Sequence, residues 1–339
     1  MHAPSRWRVA VPARGRRLSA AQQAGLFDRL VAAAVPLVPD PIVRRLGAPY
    51  VAGTTLEHAL RALAELSAQG LQATLDILGE RVAHRAAARA AAEAYVETLD
   101  AVHGRGLQTH VSVKLSGLGY ALGLDVARDG VERVVRRAEE LDTFVRIDME
   151  DASMTDDTLA LYRELRAAGH VRVGIVLQAR LWRTMADVEA LASLTPDVRL
   201  CKGIYLEPPD IALQDREAIR SNFSRLLRRL LCNGSHVAVA THDERLVVDA
   251  LEAVAETGVG PDAFEFQTLL GVRGDLARLL AEEYRVRVYV PFGVDSFAYA
   301  QRRLRENPQI AGYVARDVIR DTARAVRALA DQRRGGEGP

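Results

Sequence analysis

The feature of this 339-residue chain that most limits its fold is a regular alternation of strand-like and helix-like segments from residue 71 onward. Eight short runs rich in β-branched and aliphatic residues have the length of strands, at residues 71–80, 109–117, 143–151, 171–179, 198–207, 236–243, 264–271 and 286–293. The stretches between them are rich in Ala, Leu, Arg and Glu and repeat every 3.6 residues, which is typical of helices. This alternation predicts parallel βαβ units, and their number predicts an α/β fold of the (βα)8 TIM-type barrel class.

Two of the intervening stretches carry helix-end signals. Thr155 can cap the first turn of one helix, and Gly169 can close its last turn in a left-handed conformation. Asp243 and Gly258 bracket another helix in the same way. A doubly wound open sheet is the alternative fold, but "LGE" stands after the first strand where that fold needs a glycine-rich turn.

The segments outside the alternating region predict additional helices. We expect residues 1–70 to form an N-terminal helical arm that packs on the barrel, 71–308 to form the catalytic barrel, and 309–339 to form a C-terminal helix and tail. The first twenty residues are rich in arginine, and no acid appears before Asp28. A disordered basic start is preferred over a transit peptide as the explanation.

The composition argues against several classes of protein. A formal net charge of +1 argues against a broad basic surface, so we expect no nucleic-acid partner. Cys201 and Cys232 lack metal-ligand spacing and do not make a disulfide framework, which favours a reducing compartment. No run approaches the roughly 18 apolar residues that cross a bilayer. We expect a cytoplasmic protein, with a peripheral position at the inner face of the membrane as the alternative.

The carboxyl ends of the predicted strands are polar, and this is where barrel enzymes place their chemistry. The polar residues are Lys114, Asp148, Glu150, Asp151, Gln178, Arg199, Lys202, Tyr205, Glu207, Thr241, His242, Asp243, Glu265, Gln267 and Tyr289. Four of these charges, Lys114, Asp148, Arg199 and Lys202, lie on strands whose inward positions are expected to be otherwise aliphatic. They must therefore pair with each other or with a ligand. For Glu265 alone, a satisfied hydrogen bond between strands is the preferred interpretation.

The charges at these strand ends favour an anionic ligand over a metal. The acids within residues 148–151 could hold a divalent cation, but the neighbouring lysines and arginine would oppose it. His242 is the histidine that ends a strand with a polar flank, and no second histidine or cysteine stands at ligand spacing. We therefore expect no metal site.

The segment after the last strand carries further cations. Tyr299, Arg302 and Arg303 share one face of a predicted short helix. A solvated helix face is one interpretation. The position at the rim of the barrel supports a second interpretation, which is bidentate binding of a carboxylate or phosphate, and at this point both stay open.

Several motifs, taken together, resemble the proline dehydrogenase family. They are "VSVKLSGLG", "RIDMED", "VRLCKGIYLEP", "VATHDE", "FEFQTLLG", "VYVPFG" and "YAQRRLRENP", in the family's order across roughly residues 50 to 308. The resemblance implies a distorted barrel with extra N-terminal helices and a helix after strand 8 that caps the site. It also implies a noncovalent flavin, FAD rather than FMN, at the carboxyl ends of the strands.

The same resemblance implies a reaction and its partners. The family oxidises L-proline to Δ1-pyrroline-5-carboxylate by hydride transfer to flavin N5, and a quinone at the membrane takes the electrons. A separate pyrroline-5-carboxylate dehydrogenase would take the product. A related flavoenzyme that oxidises hydroxyproline or another cyclic amine is the alternative. A non-catalytic barrel is disfavoured because the charged residues of the family are present together.

The resemblance also assigns roles to residues. For the substrate, these are Lys114, Arg302 and Arg303 as a clamp on the proline carboxylate, and Tyr289, Tyr299, Tyr205 and Leu270 as pocket walls. Asp148 and Arg199 are the expected catalytic residues. For the flavin, the contacts are Met149, Gln178, Arg199, Lys202, Gly203, Ile204, Thr241 and His242. Cys201 and Ile204 replace the more usual Val and Ala of the family, and Tyr289 favours proline over hydroxyproline.

Overall fold

A computed structural model describes residues 47–79, 82–296 and 299, and in it eight parallel strands close into a barrel in chain order. The strands are β1 (Gln72–Ile77), β2 (Thr109–Val113), β3 (Val145–Ile147), β4 (Val173–Gln178), β5 (Asp197–Cys201), β6 (His236–Ala240), β7 (Phe264–Leu269) and β8 (Val286–Phe292). β8 pairs back with β1, with Val288 opposite Ala73. The predicted barrel is confirmed, and the open sheet is wrong.

Helices lie between the strands and one precedes them. They are α1 (Leu56–Ser67), α2 (Arg85–Gly104), α3 (Leu124–Glu140), α4 (Thr155–Ala167), α5 (Thr184–Leu191), α6 (Arg216–Cys232), α7 (Glu244–Thr257) and α8 (Gly274–Ala281). α1 buries Leu60 and Leu63 in the same hydrophobic core as β1 and β8. Most of the predicted N-terminal arm, and the whole of the predicted C-terminal helix, lie outside the described residues.

The helix ends show which capping signals the chain uses. Asp243 caps α7 by accepting a hydrogen bond from the backbone N–H of Arg245, and Gly258 closes it with φ of 67°, as predicted. Gly169 has φ of 94° after α4, also as predicted. The prediction for Thr155 is wrong, because α4 continues directly from a 3-10 turn and Asp151 caps that turn.

One face of each strand packs against the helices and the other faces the barrel interior, and the interior face is more polar than predicted. On β2, Val111 and Val113 belong to the hydrophobic core, whereas Ser112 accepts a hydrogen bond at 3.0 Å from Arg199, which comes from β5. Such contacts between distant strands place the polar side chains inside the barrel. The expectation that the inward positions are otherwise aliphatic is wrong, since both faces of a parallel barrel are buried and hydrophobicity alone cannot distinguish them.

Buried ion pairs fill the amino-terminal half of the barrel interior. Arg287 donates to Glu265 at 2.9 Å from Nε, and these side chains are 5% and 2% exposed. Arg146 donates to Asp197 Oδ1 at 2.5 Å. Glu265 is the second residue of β7, so its placement at the carboxyl end of the strand is wrong. The preferred interpretation of Glu265 as a satisfied structural residue is confirmed.

Candidate active site

Four predicted side chains converge at the carboxyl-terminal half of the barrel interior. Asp148 accepts hydrogen bonds from Arg199 Nη1 at 2.6 Å and from the Tyr289 hydroxyl at 2.9 Å. Lys114 Nζ donates to the Tyr289 hydroxyl at 3.2 Å and lies 3.9 Å from Asp148 Oδ2. Lys114 and Asp148 directly follow β2 and β3, and Arg199 and Tyr289 lie on β5 and β8, so closure of the barrel brings them together.

The environment of this cluster fixes two protonation states. Burial by itself lowers the pKa of Lys114, but the carboxylates of Asp76 and Asp148 outweigh burial and raise this pKa above its ordinary value. Burial raises the pKa of Tyr289 well above its ordinary value, and the charges of Asp148 and Asp76 raise it further. Lys114 is therefore a cation and Tyr289 a neutral phenol at neutral pH.

Arg199 is held from three directions. Besides Asp148, its guanidinium donates to Gln267 Oε1 at 2.5 Å and to Ser112 Oγ at 3.0 Å. Gln267 in turn donates to Glu265 at 2.6 Å, which sets which end of its amide faces Arg199. The guanidinium carbon lies 5.2 Å from the centre of the Tyr289 ring, within cation–π range. Both the position and the plane of the Arg199 guanidinium are thus fixed by the barrel.

Lys202 lies apart from this cluster. It donates to Asp243 at 2.8 Å, and Arg220 of α6 donates to the same carboxylate oxygen at 2.6 Å. Burial raises the pKa of Asp243, but the two cations outweigh burial and lower it. The structure therefore separates the cations of the site into an interior group and a group at the rim.

Gln178, at the end of β4, packs closely against Gly203 in the turn after β5. Gln178 Nε2 donates to the backbone carbonyl of Glu150 at 2.7 Å, while Gln178 Oε1 is buried and accepts no hydrogen bond from the described residues. Gly203 has φ of 95°, and a Cβ there would lie 2.6 Å from Gln178 Oε1. A buried acceptor without a partner fits a hydrogen bond from a polar ligand such as a flavin ring system.

His242 presents a defined tautomer next to Thr241. Its Nε2 accepts a hydrogen bond from the backbone N–H of Leu269 at 2.9 Å, so the ring proton is on Nδ1. Burial, with the charges of Lys202 and Arg273, lowers the pKa of His242 to about 4. His242 is therefore a neutral hydrogen-bond donor. Thr241 Oγ1 accepts from the backbone N–H of Asp243 at 3.1 Å.

Glu150, near the end of β3, and Glu207, after β5, have separate partners. Glu150 accepts from the backbone N–H of Ser116 at 2.9 Å and from its hydroxyl at 2.5 Å, and burial raises the pKa of Glu150. Glu207 accepts from the backbone N–H of Ala152 at 2.7 Å. Over residues 47–79, 82–296 and 299, no group of three or more His, Cys, Asp or Glu residues could hold a metal ion.

The remaining predicted pocket residues are placed as follows. The backbone carbonyl of Tyr205 accepts from Arg180 Nη1 at 2.5 Å, and the backbone N–H of Leu270 donates to the carbonyl of Tyr289 at 3.0 Å. Tyr299 is 4% exposed and Met149 is 7% exposed. Arg302 and Arg303 lie outside the described residues, and the turn at residues 202–204 follows β5 directly.

Sequence reasoning missed Asp76. This acid lies on β1 with no exposed surface, and its Oδ1 is 2.5 Å from Lys114 Nζ. The signal was present, because an acid within a strand that is predicted to be buried must find a partner. Only the strand register, with Asp76 opposite Ser112, shows that Lys114 is that partner.

Comparison with known proteins identifies the family. The family model described as proline dehydrogenase matches residues 59–316. The chain is 39% identical over 276 residues to the proline dehydrogenase of Deinococcus radiodurans, which covers 80% of this chain and 89% of that protein. It is 36% identical over 278 residues to proline dehydrogenase 1 of Bacillus subtilis, covering 81% and 92%. The chain belongs to the proline dehydrogenase family.

Solved structures agree with this fold. Proline utilization A (PutA) from Bdellovibrio bacteriovorus, inactivated by N-propargylglycine, aligns over 84% of this chain with a TM-score of 0.73 and 22% identity. The alignment covers 37% of the length of that PutA protein. PutA from Bradyrhizobium japonicum aligns with a TM-score of 0.64 over 77% of the chain.

The predicted family, the enzyme class and the dependence on a flavin are confirmed, and the choice of FAD over FMN stays a prediction.

Proposed function

We propose that this chain oxidises L-proline to Δ1-pyrroline-5-carboxylate at the cluster of Lys114, Tyr289, Asp148 and Arg199. The observation that carries the proposal is that this cluster lies within the barrel of a proline dehydrogenase family member and is held by hydrogen bonds of 2.6–3.2 Å. When bound, the flavin supplies the hydride acceptor for the ring carbon beside the proline nitrogen. The chain itself orients the substrate, excludes water and sets the local charge.

The charges of the described residues restrict how the substrate is held. The cations Lys114 and Arg199 are matched by the carboxylates of Asp76 and Asp148. An anionic substrate therefore needs further positive charge, which we assign to Arg302 and Arg303 on the predicted helix after β8. Lys114 then contributes a directed ammonium N–H, and the two arginines contribute the excess positive charge. Clamping one carboxylate in this way is mainly a proximity effect.

Tyr289, with Tyr299, Tyr205 and Leu270, forms the proposed wall around the proline ring. The Tyr289 ring is fixed by hydrogen bonds to Asp148 and Lys114 and by its contact with Arg199. A ring held in this way cannot move aside for an added hydroxyl group. We therefore assign proline, and not hydroxyproline, as the preferred substrate, and oxidation of hydroxyproline or another cyclic amine is the second candidate.

We assign the cofactor as FAD, held by Met149, Gln178, Arg199, Lys202, Gly203, Ile204, Thr241 and His242. Gln178 Oε1 offers a buried acceptor, and His242 offers a donor at Nδ1. Arg199 is a fixed cation whose charge stabilises negative charge on the reduced ring system. Gly203 lets the turn after β5 pack directly against Gln178, because a Cβ there would lie 2.6 Å from Gln178 Oε1.

The proposed partners are a quinone as electron acceptor and a separate pyrroline-5-carboxylate dehydrogenase that consumes the product. Quinone use favours a location at the membrane surface, on the cytoplasmic side. Among the helices that the structure describes, none combines the length and the apolar character needed to cross a membrane. We propose that this contact with the membrane is peripheral.

Two experiments test the proposed function. Cofactor released from the purified protein by heat should have the mass of FAD, and the mass of FMN would contradict the assignment.

In steady-state assays with a soluble quinone, R302A and R303A should each raise the KM for L-proline at least roughly 100-fold, because each removes a bidentate partner of the carboxylate. R305A is the control, since helical spacing places Arg305 off the face of Tyr299. Unchanged kinetics in R302A and R303A would exclude the clamp.

A further inference from the structure

Asp76 is a buried acid whose place in the site follows from the barrel geometry. It lies on the inner face of β1 opposite Ser112, and Lys114 follows Ser112 by two residues. Residues two apart on a strand share a face, so Asp76 and Lys114 project from neighbouring strands into the same space. Their charged atoms are 2.5 Å apart, and the side chains are 0% and 16% exposed.

The hydrogen bonds of Lys114 show what Asp76 does for it. An ammonium group has three N–H donors. One donates to Asp76 Oδ1 and another to the oxygen of Tyr289, whose own proton goes to Asp148. Within the described part of the chain these are the hydrogen bonds of the ammonium, which leaves one N–H for a ligand. Two fixed donors define the direction of the third.

Asp76 is also the nearest negative charge to Lys114. Burial alone would favour the neutral amine, and Asp148 is farther away, at 3.9 Å. The other titratable or charged groups near the ammonium or near its two carboxylate neighbours are Glu150, Arg199, Tyr95, Tyr289 and Tyr299. None of these is a carboxylate in direct contact with it, so Asp76 makes the largest contribution to keeping Lys114 charged.

The second carboxylate oxygen of Asp76 indicates that this acid is not there for stability. Asp76 Oδ2 is buried and has no hydrogen-bond partner among the described residues. A buried carboxylate compensated by one ion pair adds little to stability compared with an apolar pair of similar size. We propose that Asp76 is a positioning residue that holds the Lys114 ammonium charged and oriented toward the carboxylate of the substrate. This inference rests on the proposed oxidation of proline.

The test compares D76N with wild type and with D249N, an acid-to-amide control at the Asp249–Ser224 contact between α6 and α7. D76N should raise the KM for L-proline at least roughly 10-fold while kcat changes less, and its KM should rise further as the pH increases above neutrality, because the amine of Lys114 loses its proton more easily. Calorimetry with tetrahydrofuran-2-carboxylate, which has the ring and carboxylate of proline but no amine, should show the same loss of affinity. D249N should match wild type.

A double variant separates positioning from a structural role. In a K114M background, D76N should leave KM unchanged, because Asp76 acts through Lys114. If D76N alone does not fold, D76N/K114M should fold, since it removes both charges. Equal KM and probe affinity in D76N and wild type, or failure of both D76N and the double variant to fold, would overturn the inference. A wild-type protein that neither oxidises proline nor binds the probe would instead overturn the proposed function.

Discussion

Replacing Glu265 by glutamine should destabilise the barrel strongly, although the side chain keeps its shape. The Glu265 carboxylate accepts from Arg287 Nε at 2.9 Å and Nη2 at 3.1 Å, and from Gln267 Nε2 at 2.6 Å. Both members of the ion pair are almost fully buried. E265Q leaves the Arg287 guanidinium in a buried site without a counter-charge. Losing one partner of such a pair costs about 3–5 kcal/mol of the free energy of unfolding.

The assay is urea unfolding followed by circular dichroism, at several pH values. Burial raises the pKa of Glu265, but Arg287 outweighs burial and lowers it below the ordinary value of 4.5. A lowered pKa in the folded state means that the stabilisation is fully present above pH 4.5 and is lost as the pH falls. The difference between wild type and E265Q should therefore be largest near neutral pH and should shrink on acidification.

Two further variants control this experiment. E256Q changes the same type of residue in an exposed Arg–Glu pair, Arg228 with Glu256, and should leave unfolding unchanged because water screens that pair. R287M in the E265Q background removes the unpaired charge and should restore at least half of the lost stability. A loss below about 1 kcal/mol in E265Q would refute the importance of the buried pair.

Three further substitutions test individual site residues. Y289F removes the hydroxyl that contacts Asp148 and Lys114 and should lower kcat/KM for proline about 10-fold, as measured in steady-state assays; an unchanged value would exclude a role for the hydroxyl. G203A places a Cβ 2.6 Å from Gln178 Oε1 and should reduce flavin occupancy, whereas G234A has a similar positive φ with open space and should retain the flavin. The pKa of His242 is lowered from 6.5 to about 4, so the folded state resists protonation of this ring as the pH falls. Between pH 6.5 and 4 the free energy of unfolding of wild type should therefore fall by up to about 3 kcal/mol more than that of H242Q. Equal pH dependence in the two proteins would contradict this.

The barrel could be predicted from the sequence because each strand and helix carries a local signal. Alternating strand-like and helix-like segments gave the number of units, and Asp243 and Gly258 marked the ends of α7 where the structure has them. Thr155 was misassigned as a cap because the 3-10 turn runs directly into α4, so the capping residue, Asp151, lies four residues earlier. Local signals therefore define the elements better than they define the transitions between them.

The site was predictable in part. Lys114, Asp148, Arg199 and Tyr289 were found from their polarity, and the structure brings them together. Which face of each strand points inward could not be read from the sequence, since both faces are buried. Asp76 was missed for this reason, because its relation to Lys114 depends on the pairing of β1 with β2.

The measurement that tests the central claim most directly is the visible absorption spectrum of the purified protein, recorded without oxygen before and after addition of L-proline. We predict the absorption band of an oxidised flavin, and its loss in proportion to added proline as the flavin is reduced. Tetrahydrofuran-2-carboxylate, which cannot donate a hydride from a carbon beside an amine, should leave the band in place. A flavin band that L-proline does not bleach would contradict the proposed function.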